Sequence, residues 1–513
     1  MMIISVTMDF GLDHSITYSG GLGVLEADKY YWMAEAGIPY TVLTLFYRKG
    51  YVHQARVNGE ILLEGEDLDP RFIQSLHPEP DMEISLNGKS LFVKPLVHPL
   101  KQARAVFFEV VCPPWARALT DRIYIEPNAH FRLLKNALLA RCALEYVEQR
   151  IGWDTIEYFD LQEAKGALCA GAIPLEKLGF TTHTPGPWGH PIFSHAEIQR
   201  ALPDWVDRGL IPNLIEWPDP INLTEYAMAH AQRIFTVSQK HATITRTLFP
   251  KYADRIQAAT NGVYLPRWQH PAIKQALDAN DFQLFVSTRE QLRHRLLERF
   301  QLPDTCGPIF LWHRRITRYK RPYFIHRFVE DHPDLPAVFV LAGRPHPQDN
   351  DGIEFTRRFY ALADRHPHVF YLENYNLEIA RFLVQHGDIM LFTPFPGWEA
   401  CGTSFMKAGV NGVPTLSSRD GGALEMIVEG QTGWFFGHEL DELLDFYNDD
   451  RAHALDEQDY EDFKDRCLQL TDLFLQDREH FYRIAFETAQ HFSREADIHR
   501  TLKTLYPNLK IRL

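Results

Sequence analysis

No run of apolar residues in this sequence approaches the roughly 20 that a membrane-spanning helix needs, and no internal repeat or low-complexity tract breaks it up. Cysteine is scarce. Cys112, Cys142, Cys169, Cys306, Cys401 and Cys467 are scattered without a CxxC pair, so neither a zinc site nor a disulfide framework is indicated, and a reducing cytoplasm is the expected setting. Positive charge is in deficit, with 53 Lys and Arg against 67 Asp and Glu and a formal net charge of −14, which argues against nucleic acid or an acidic membrane as a general partner. The apolar start, Met1 to Asp9, has no basic flank and no small-residue cleavage site, and it reads as a first strand, not a signal peptide. What remains is a globular composition, 45% hydrophobic over 513 residues, ample for a large core and two to four domains.

Strand, glycine turn and helix alternate along the chain, which gives an α/β class directly. The first strand leads to Ser19-Gly20-Gly21-Leu22-Gly23, and 24–36 has helical spacing. Backbone at Gly20 and Gly21 could approach an anion or a sugar phosphate closely; a plain tight turn is the ordinary alternative. Residues 51–112 switch to a two-residue period, with hairpin turns at Asn58-Gly59 and Asn87-Gly88, and are expected as a β-rich excursion without chemistry. Helices are expected at about 131–150 and 221–233, and strands at 155–161 and 234–238. His183 closes a strand, and the turn after it, to Trp188 and His190, is rich in proline and glycine, where α/β sheets place ligand-facing residues. His190 reads as structural. A polar helical stretch from 269 to 306 reads as the crossing to a second α/β domain, with strands near 306–312, 337–342, 369–372 and 389–393. The tail from 440 reads as helical and charged.

Two stretches carry chemistry. In Glu399-Ala400-Cys401-Gly402-Thr403-Ser404-Phe405-Met406-Lys407 an apolar strand ends in Pro394, Pro396 and Gly397, and a helix begins near Gly402. Thr403 or Ser404 is expected to cap that helix and Asn411-Gly412 to stop it. Thr403 and Lys407 lie four apart on one face, and the free N–H groups of the first turn suit an anion. Lys407 either snorkels to the surface or forms a Schiff base with a phosphate-bearing aldehyde. The second stretch is His313-Arg314-Arg315-Ile316-Thr317-Arg318-Tyr319-Lys320-Arg321-Pro322, five cations within eight positions of an acidic chain. A solvated face and a nucleic-acid patch are the rivals, but its place between a strand and a helix favours a phosphate site.

The segment from Glu399 to Lys407 resembles the pyridoxal-phosphate lysine segment of the α-glucan (glycogen, starch, maltodextrin) phosphorylases. It departs from them at Cys401 and Phe405. The stretch from Met8 to Tyr51 resembles the N-terminal region of the shorter bacterial and archaeal members, with Asp9 where they have glutamate. The family's phosphate-binding basic element matches at Arg314, Arg315 and Lys320, its cofactor-phosphate tyrosine at Tyr375, its sugar-binding asparagine at Asn261 and its His-Thr-Pro loop at His183.

The resemblance implies two Rossmann-like domains facing across a cleft, the GT-B architecture. The domains would be 1–300, with the β-rich insertion at about 51–112 on the glucan side, and 301–485, carrying the cofactor and phosphate site. The 486–513 helix would cross back to the first domain. It implies reversible phosphorolysis of an α-1,4-glucan with retention, giving α-glucose 1-phosphate, in the cytoplasm and with a homodimer as the candidate assembly. Pyridoxal 5′-phosphate would be a Schiff base at Lys407, held by Thr403, Gly402, Tyr375, Arg314 and Gly21. Lys407, Arg315, Lys320 and His183 would be catalytic. Glu399, Asn261, His183, Gly20, Gly21, Arg315 and Lys320 would contact substrate, and no metal is implied. The Gly-Gly-x-x-Glu pattern ending at Glu425 keeps a rival open, a nucleotide-sugar-dependent retaining glycosyltransferase with no pyridoxal phosphate. A glucan-binding protein without catalysis is the third reading.

Overall fold

Two largely parallel sheets organise the chain in the computed structural model, which describes residues 2–207, 211, 217–303, 305–373 and 375–509. Met1, at the head of the expected first strand, and 510–513, at the end of the tail, lie outside the described residues. In the first sheet the strands run in the order Ile256–Ala258, Arg233–Thr236, Leu178–Thr181, Ile156–Leu161, Met2–Val6, Tyr40–Leu45, Ala103–Cys112, Lys89–Leu100 and His77–Pro78. All pairs from the first of these to Ala103–Cys112 are parallel. Their side chains are buried on both faces, as parallel strands flanked by helices require. The β-rich stretch contributes its later strands to this sheet, where Ala103–Cys112 pairs in parallel with Tyr40–Leu45 and antiparallel with Lys89–Leu100, and its first hairpin, His53–Val57 with Glu60–Glu64, forms a separate two-stranded sheet. Its Asn58-Gly59 and Asn87-Gly88 turns have positive φ at both residues, the conformation that two-residue hairpin loops need.

The second sheet runs Val369–Leu372, Val338–Ala342, Ile309–His313, Ile389–Phe392, Thr415–Arg419 and Gly433–Glu439, all parallel. The chain builds outward one way from Ile309–His313 and then returns to build the other way from Ile389–Phe392. The crevice beyond the carboxyl ends of those two strands is where open α/β sheets bind ligands. The first sheet reverses in the same manner between Met2–Val6 and Ile156–Leu161.

Local chemistry sets the helix ends. The helix expected from Val24 begins at Gly21, with Gly20 at the N-cap. The helix expected at 131–150 spans Ala129–Tyr146, started by Asn128, whose side chain accepts from the Phe131 N–H at 2.8 Å. The 221–233 segment shortens to Leu223–His230, because Asn222 caps it and Ile221–Asn222 pairs as a short strand with Ile192–Phe193.

The tail folds into helices Asp450–Gln476, Arg478–Glu495 and Ile498–Leu505. The last of these packs on Gly21–Glu35, with Ile498, Leu502 and Leu505 in one core cluster with Tyr30, Met33 and Ala34. Since Leu502 is 0% exposed there, Leu502→Ala is expected to cost about 2–4 kcal/mol in urea unfolding. A loss below about 1 kcal/mol would mean the tail helix does not hold the first helix.

Candidate functional site at the carboxyl ends of the strands

The second sheet's reversal point sorts the five cations of the basic stretch. Arg314 and Lys320 both pair with Glu399, at 2.9 and 3.0 Å. Glu399 follows strand Ile389–Phe392, so the two central strands deliver opposite charges to one spot. Burial opposes ionisation of the Glu399 carboxyl, but Lys320 and Arg314 outweigh it and hold it below its ordinary value. Burial, reinforced by Arg314 and only partly countered by Glu399, brings Lys320 down to about 7. Arg315 turns toward Tyr319 and Tyr51, whose influence together with Glu399 overcomes its burial and keeps it charged. Arg321 is a structural bolt, fully buried on Asp459 at 2.8 Å and on the Thr393 and Pro394 carbonyls. Arg318 lies outside the group, 3.8 Å from Asp351 and over the rings of Phe446 and Tyr447. Two further donors of Arg314, Nε and Nη1, are buried without a partner among the described residues.

Lys407 sits on helix Ser404–Gly409, and its charge and that of Arg314 both act on His313. Thr403 occupies the N-cap as expected, but neither it nor Ser404 caps the helix through its side chain, so the first turn keeps its free N–H groups. The stop at Asn411-Gly412 is as the sequence implies. Asn411 Nδ2 donates to the Lys407 carbonyl at 2.8 Å and the Trp268 carbonyl at 3.0 Å, and Gly412 has φ +70° with a would-be Cβ 2.4 Å from the Phe285 ring. At 8% exposure the Lys407 amine does not snorkel. It lies 4.1 Å from the centroid of the Trp268 ring, and no hydrogen bond or ion pair to it is formed among the described residues. Burial lowers it to about 7, with Asp28 working against that shift and Arg267 for it. Asp28 is itself committed to Arg267 at 2.9 Å and Trp268 Nε1 at 2.8 Å.

Tyr375 also arrives here, its hydroxyl 2.9 Å from His313 Nδ1. Burial, then the charges of Lys407 and Arg314, drop His313 to about 3, so it is a neutral imidazole, and its buried Nε2 has no partner among the described residues. Gly402 is required by packing, since a Cβ there would fall 2.5 Å from the Phe392 ring and 3.1 Å from Glu399 Oε1. The departures from the family pattern at Cys401 and Phe405 are both buried. Cys401 Sγ fits under Gly422, and Phe405 fills space between Phe392 and Phe492.

From the first sheet come Gly20, Gly21, His183 and Asn261. A Cβ on either Gly20 or Gly21 would meet nothing within 4 Å, so this backbone faces open space. The loop is set by Asp9, which accepts from Ser19 N and Oγ at 2.9 and 3.0 Å and is raised to about 7 by burial. His183 ends a buried relay in which Glu26 pairs with Lys29 at 2.7 Å, Lys29 reaches Gln162 at 2.9 Å, and Gln162 lies 3.4 Å from His183 Nε2. Burial, with help from Lys29 and His241, holds His183 well below its ordinary value, hence neutral. Asn261 donates to the Cys401 carbonyl at 3.1 Å, and its Oδ1 is buried without a partner among the described residues. The two sheets are stitched together at this level: Ser238 Oγ donates to the Ala400 carbonyl at 2.5 Å, and Glu425 accepts from Gln239 N at 2.8 Å and Thr260 Oγ1 at 2.6 Å. His190 bonds Thr224 Oγ1 at 2.8 Å, in keeping with a structural role.

Sequence reasoning missed Asp28, Trp268, Arg267, His313 and Gln162. The signal for Asp28 was present, since Glu26, Asp28 and Lys29 are charged positions on a helix that is otherwise buried and apolar. Trp268 and Gln162 carried no local signal, because only the folded chain brings them beside Lys407 and His183.

The site belongs to an α/β protein in which the strand ends of the second sheet gather more buried cations than the one carboxylate Glu399 answers, and the following helix carries an amine with no hydrogen-bond or ion-pair partner among the described residues. Residues 363–503 match the family model for carbohydrate phosphorylases. The chain is 26% identical to the maltodextrin phosphorylase of Thermococcus litoralis, over 85% of this chain and 62% of that protein. It is 27% identical to the glycogen phosphorylase of Aquifex aeolicus, over 85% of this chain and 76% of the relative. An uncharacterized protein of Methanocaldococcus jannaschii is 25% identical over 82% of this chain and 84% of its own length. By these matches the chain is similar to maltodextrin and glycogen phosphorylases, and it spans about three fifths of the length of the Thermococcus enzyme. Among the described residues no helix is long and apolar enough to cross a membrane.

An amine at about 7 is half unprotonated at neutral pH and free to attack a carbonyl. In cofactor-free protein, reductive methylation of Lys407 with formaldehyde and borohydride should therefore rise through about pH 7, read by peptide mapping. A rate that climbs only above pH 9 would contradict the buried, unpaired amine.

Proposed function

We propose that the chain is an α-glucan phosphorylase, a hexosyltransferase that catalyses reversible phosphorolysis of an α-1,4-glucan with retention and releases α-glucose 1-phosphate. The observation that carries this reading is the buried Lys407 amine, unpaired among the described residues and lowered to about 7, which reaches the basic group of Arg314, Arg315 and Lys320 through the shared neighbour His313. Pyridoxal 5′-phosphate fits the residues present. Lys407 would hold its aldehyde carbon. The free first turn at Thr403, the orphaned Nε and Nη1 of Arg314 and the hydroxyl of Tyr375 would receive its phosphate, and Gly20-Gly21 leave open space where a side chain would intrude. When bound, the cofactor supplies a second phosphate able to exchange a proton with inorganic phosphate.

The remaining chemistry falls to this chain's side chains. Arg315 and Lys320 hold inorganic phosphate and offset its repulsion from a neighbouring phosphate. Glu399, ionised between two cations, accepts hydrogen bonds from sugar hydroxyls and fixes the glucosyl unit. Asn261 offers its unsatisfied Oδ1 to another hydroxyl. His183 is neutral, so it contacts the sugar as a hydrogen-bonding group without adding charge near the phosphates. Phosphate so held protonates the leaving glycosidic oxygen and attacks the same face of the sugar, which gives retention.

The same reading takes the two sheets as Rossmann-like domains, 1–300 and 301–485, facing across a cleft in the GT-B manner, with 486–513 returning to the first. The support is that both strand-order reversals end at one group of residues. A homodimer is the assembly expected with it. In the nucleotide-sugar reading Glu425 would face the donor, whereas here it is engaged by Gln239 and Thr260. Of the positions that depart from the family pattern, Cys401 and Phe405 are buried in the core and Asp9 holds the Ser19 turn, so each has a structural place in this chain; the non-catalytic glucan binder is the reading that a failure of phosphorolysis would favour.

Wild-type protein should carry near-ultraviolet absorbance of bound cofactor and form glucose 1-phosphate from maltoheptaose only when phosphate is present. Lys407→Ala should lose the absorbance and about 10³-fold or more of the phosphorolysis rate. A fully active, cofactor-free variant, or turnover of UDP- or ADP-glucose in place of phosphorolysis, would overturn the proposal.

A further inference from the structure

Among the described residues Trp188 is the one tryptophan left widely exposed, at 42%. It lies five positions beyond His183, in the loop that leaves strand Leu178–Thr181. One side of its indole rests on two rings of the second sheet's loops, Trp398 at 5.5 Å and Tyr319 at 5.6 Å between centroids, and those two rings are 6.0 Å apart. Trp398 immediately precedes Glu399 and Tyr319 immediately precedes Lys320. Trp188 is therefore the exposed top of an aromatic stack whose lower rings, Trp398 and Tyr319, are each 5% exposed and directly precede the carboxylate assigned to the sugar and the lysine assigned to phosphate, with Lys320 Nζ 5.3 Å from the Tyr319 centroid.

The two lower rings are fixed by packing and a hydrogen bond. Trp398 Nε1 donates to the Leu444 carbonyl at 3.0 Å, and Trp398, Tyr319 and Phe446 share a small core cluster. The indole also packs closely on its own loop. A Cβ on Gly186 would fall 2.5 Å from the indole, and one on Gly189 would fall 2.1 Å from Thr184 Cγ2. An exposed aromatic side chain beside a polar site is suited to the C–H-rich face of a pyranose ring, which prefers an aromatic plane to water.

We infer that Trp188 is the stacking platform for the leaving side of the glucan, holding a glucosyl unit beyond the one oriented by Glu399, Asn261 and His183. The inference rests on the phosphorylase reading for the identity of the glucan. It adds a specificity-determining residue that sets affinity for the chain being shortened and leaves the phosphate end alone. Phosphate is excluded as the occupant by the chemistry of the three rings, which offer no charge.

Isothermal titration of maltoheptaose, without phosphate, into wild type, Trp188→Ala and Trp188→Phe tests this without any turnover. Loss of the ring should weaken binding about tenfold, the factor that about 1.4 kcal/mol represents. Trp188→Phe should stay within about threefold of wild type, because it keeps an aromatic face. Titration of inorganic phosphate into the same proteins should agree within about twofold, which separates stacking from a general loosening of the site. Unchanged maltoheptaose affinity in Trp188→Ala, or a parallel loss of phosphate binding, would overturn the proposal. In the first case phosphorolysis by the wild type would leave the parent reading intact. A wild type that neither binds maltoheptaose nor releases glucose 1-phosphate would overturn both.

Discussion

The site depends on one electrostatic imbalance. Arg314, Arg315 and Lys320 converge where the two central strands of the second sheet end, and a single carboxylate, Glu399, answers them. Two like charges about 4 Å apart at an effective dielectric of about 20 repel by about 4 kcal/mol. The cluster therefore persists only because the surrounding fold over-determines it. Burial first and the Arg314 charge second bring Lys320 down to about 7, which relieves part of the repulsion, while Lys407 reaches about 7 through its own burial and Arg267. An anion that entered would release the rest. An acidic chain has thus kept a concentrated positive site in a sheltered place, where its own surface charge does not cancel it.

Sheet topology puts the imbalance there. Each sheet reverses its building direction at its central pair of strands, and each reversal opens a crevice beyond the carboxyl ends. The second sheet delivers the cations, Glu399 and Lys407; the first delivers Gly20-Gly21, His183 and Asn261. Hydrogen bonds from Ser238, Asn261, Gln239 and Thr260 to the segment around Ala400, Cys401 and Glu425 fix one set against the other. Beneath them the buried pair of Arg267 with Asp28, and Trp268 under the Lys407 amine, tie the first helix to Lys407. The structural and chemical roles are divided cleanly within one short stretch: Arg321 holds the fold, while Arg314, Arg315 and Lys320 stay available.

Much of this was legible in the amino-acid order because it is local. Strand 369–372 and the hairpin turns at Asn58 and Asn87 follow from period and turn chemistry, and the basic run and the Glu399–Lys407 segment are contiguous. The boundaries that moved did so for side-chain reasons that a period does not encode, such as Asn222 capping one residue before Leu223 and Gly20 allowing the first helix to begin at Gly21. The cap expected at Thr403 or Ser404 held in position, since Thr403 is the N-cap, but not in its bond, because its hydroxyl does not turn back onto the helix. Partners distant in sequence stayed hidden. Nothing near Trp268 announces that it lies under residue 407, and nothing near Gln162 announces that it links Lys29 to His183.

The central claim is that the cluster around Glu399 is a site for phosphate. Thermal unfolding in sodium phosphate and in sodium chloride of equal ionic strength addresses it most directly, because a ligand that binds only the folded state raises the midpoint by mass action while screening alone is common to both salts. The account predicts a midpoint several degrees higher in phosphate, and no such difference in an Arg315→Gln, Lys320→Gln double variant. Equal midpoints in the two salts for the wild type, or an undiminished phosphate effect in the double variant, would contradict it.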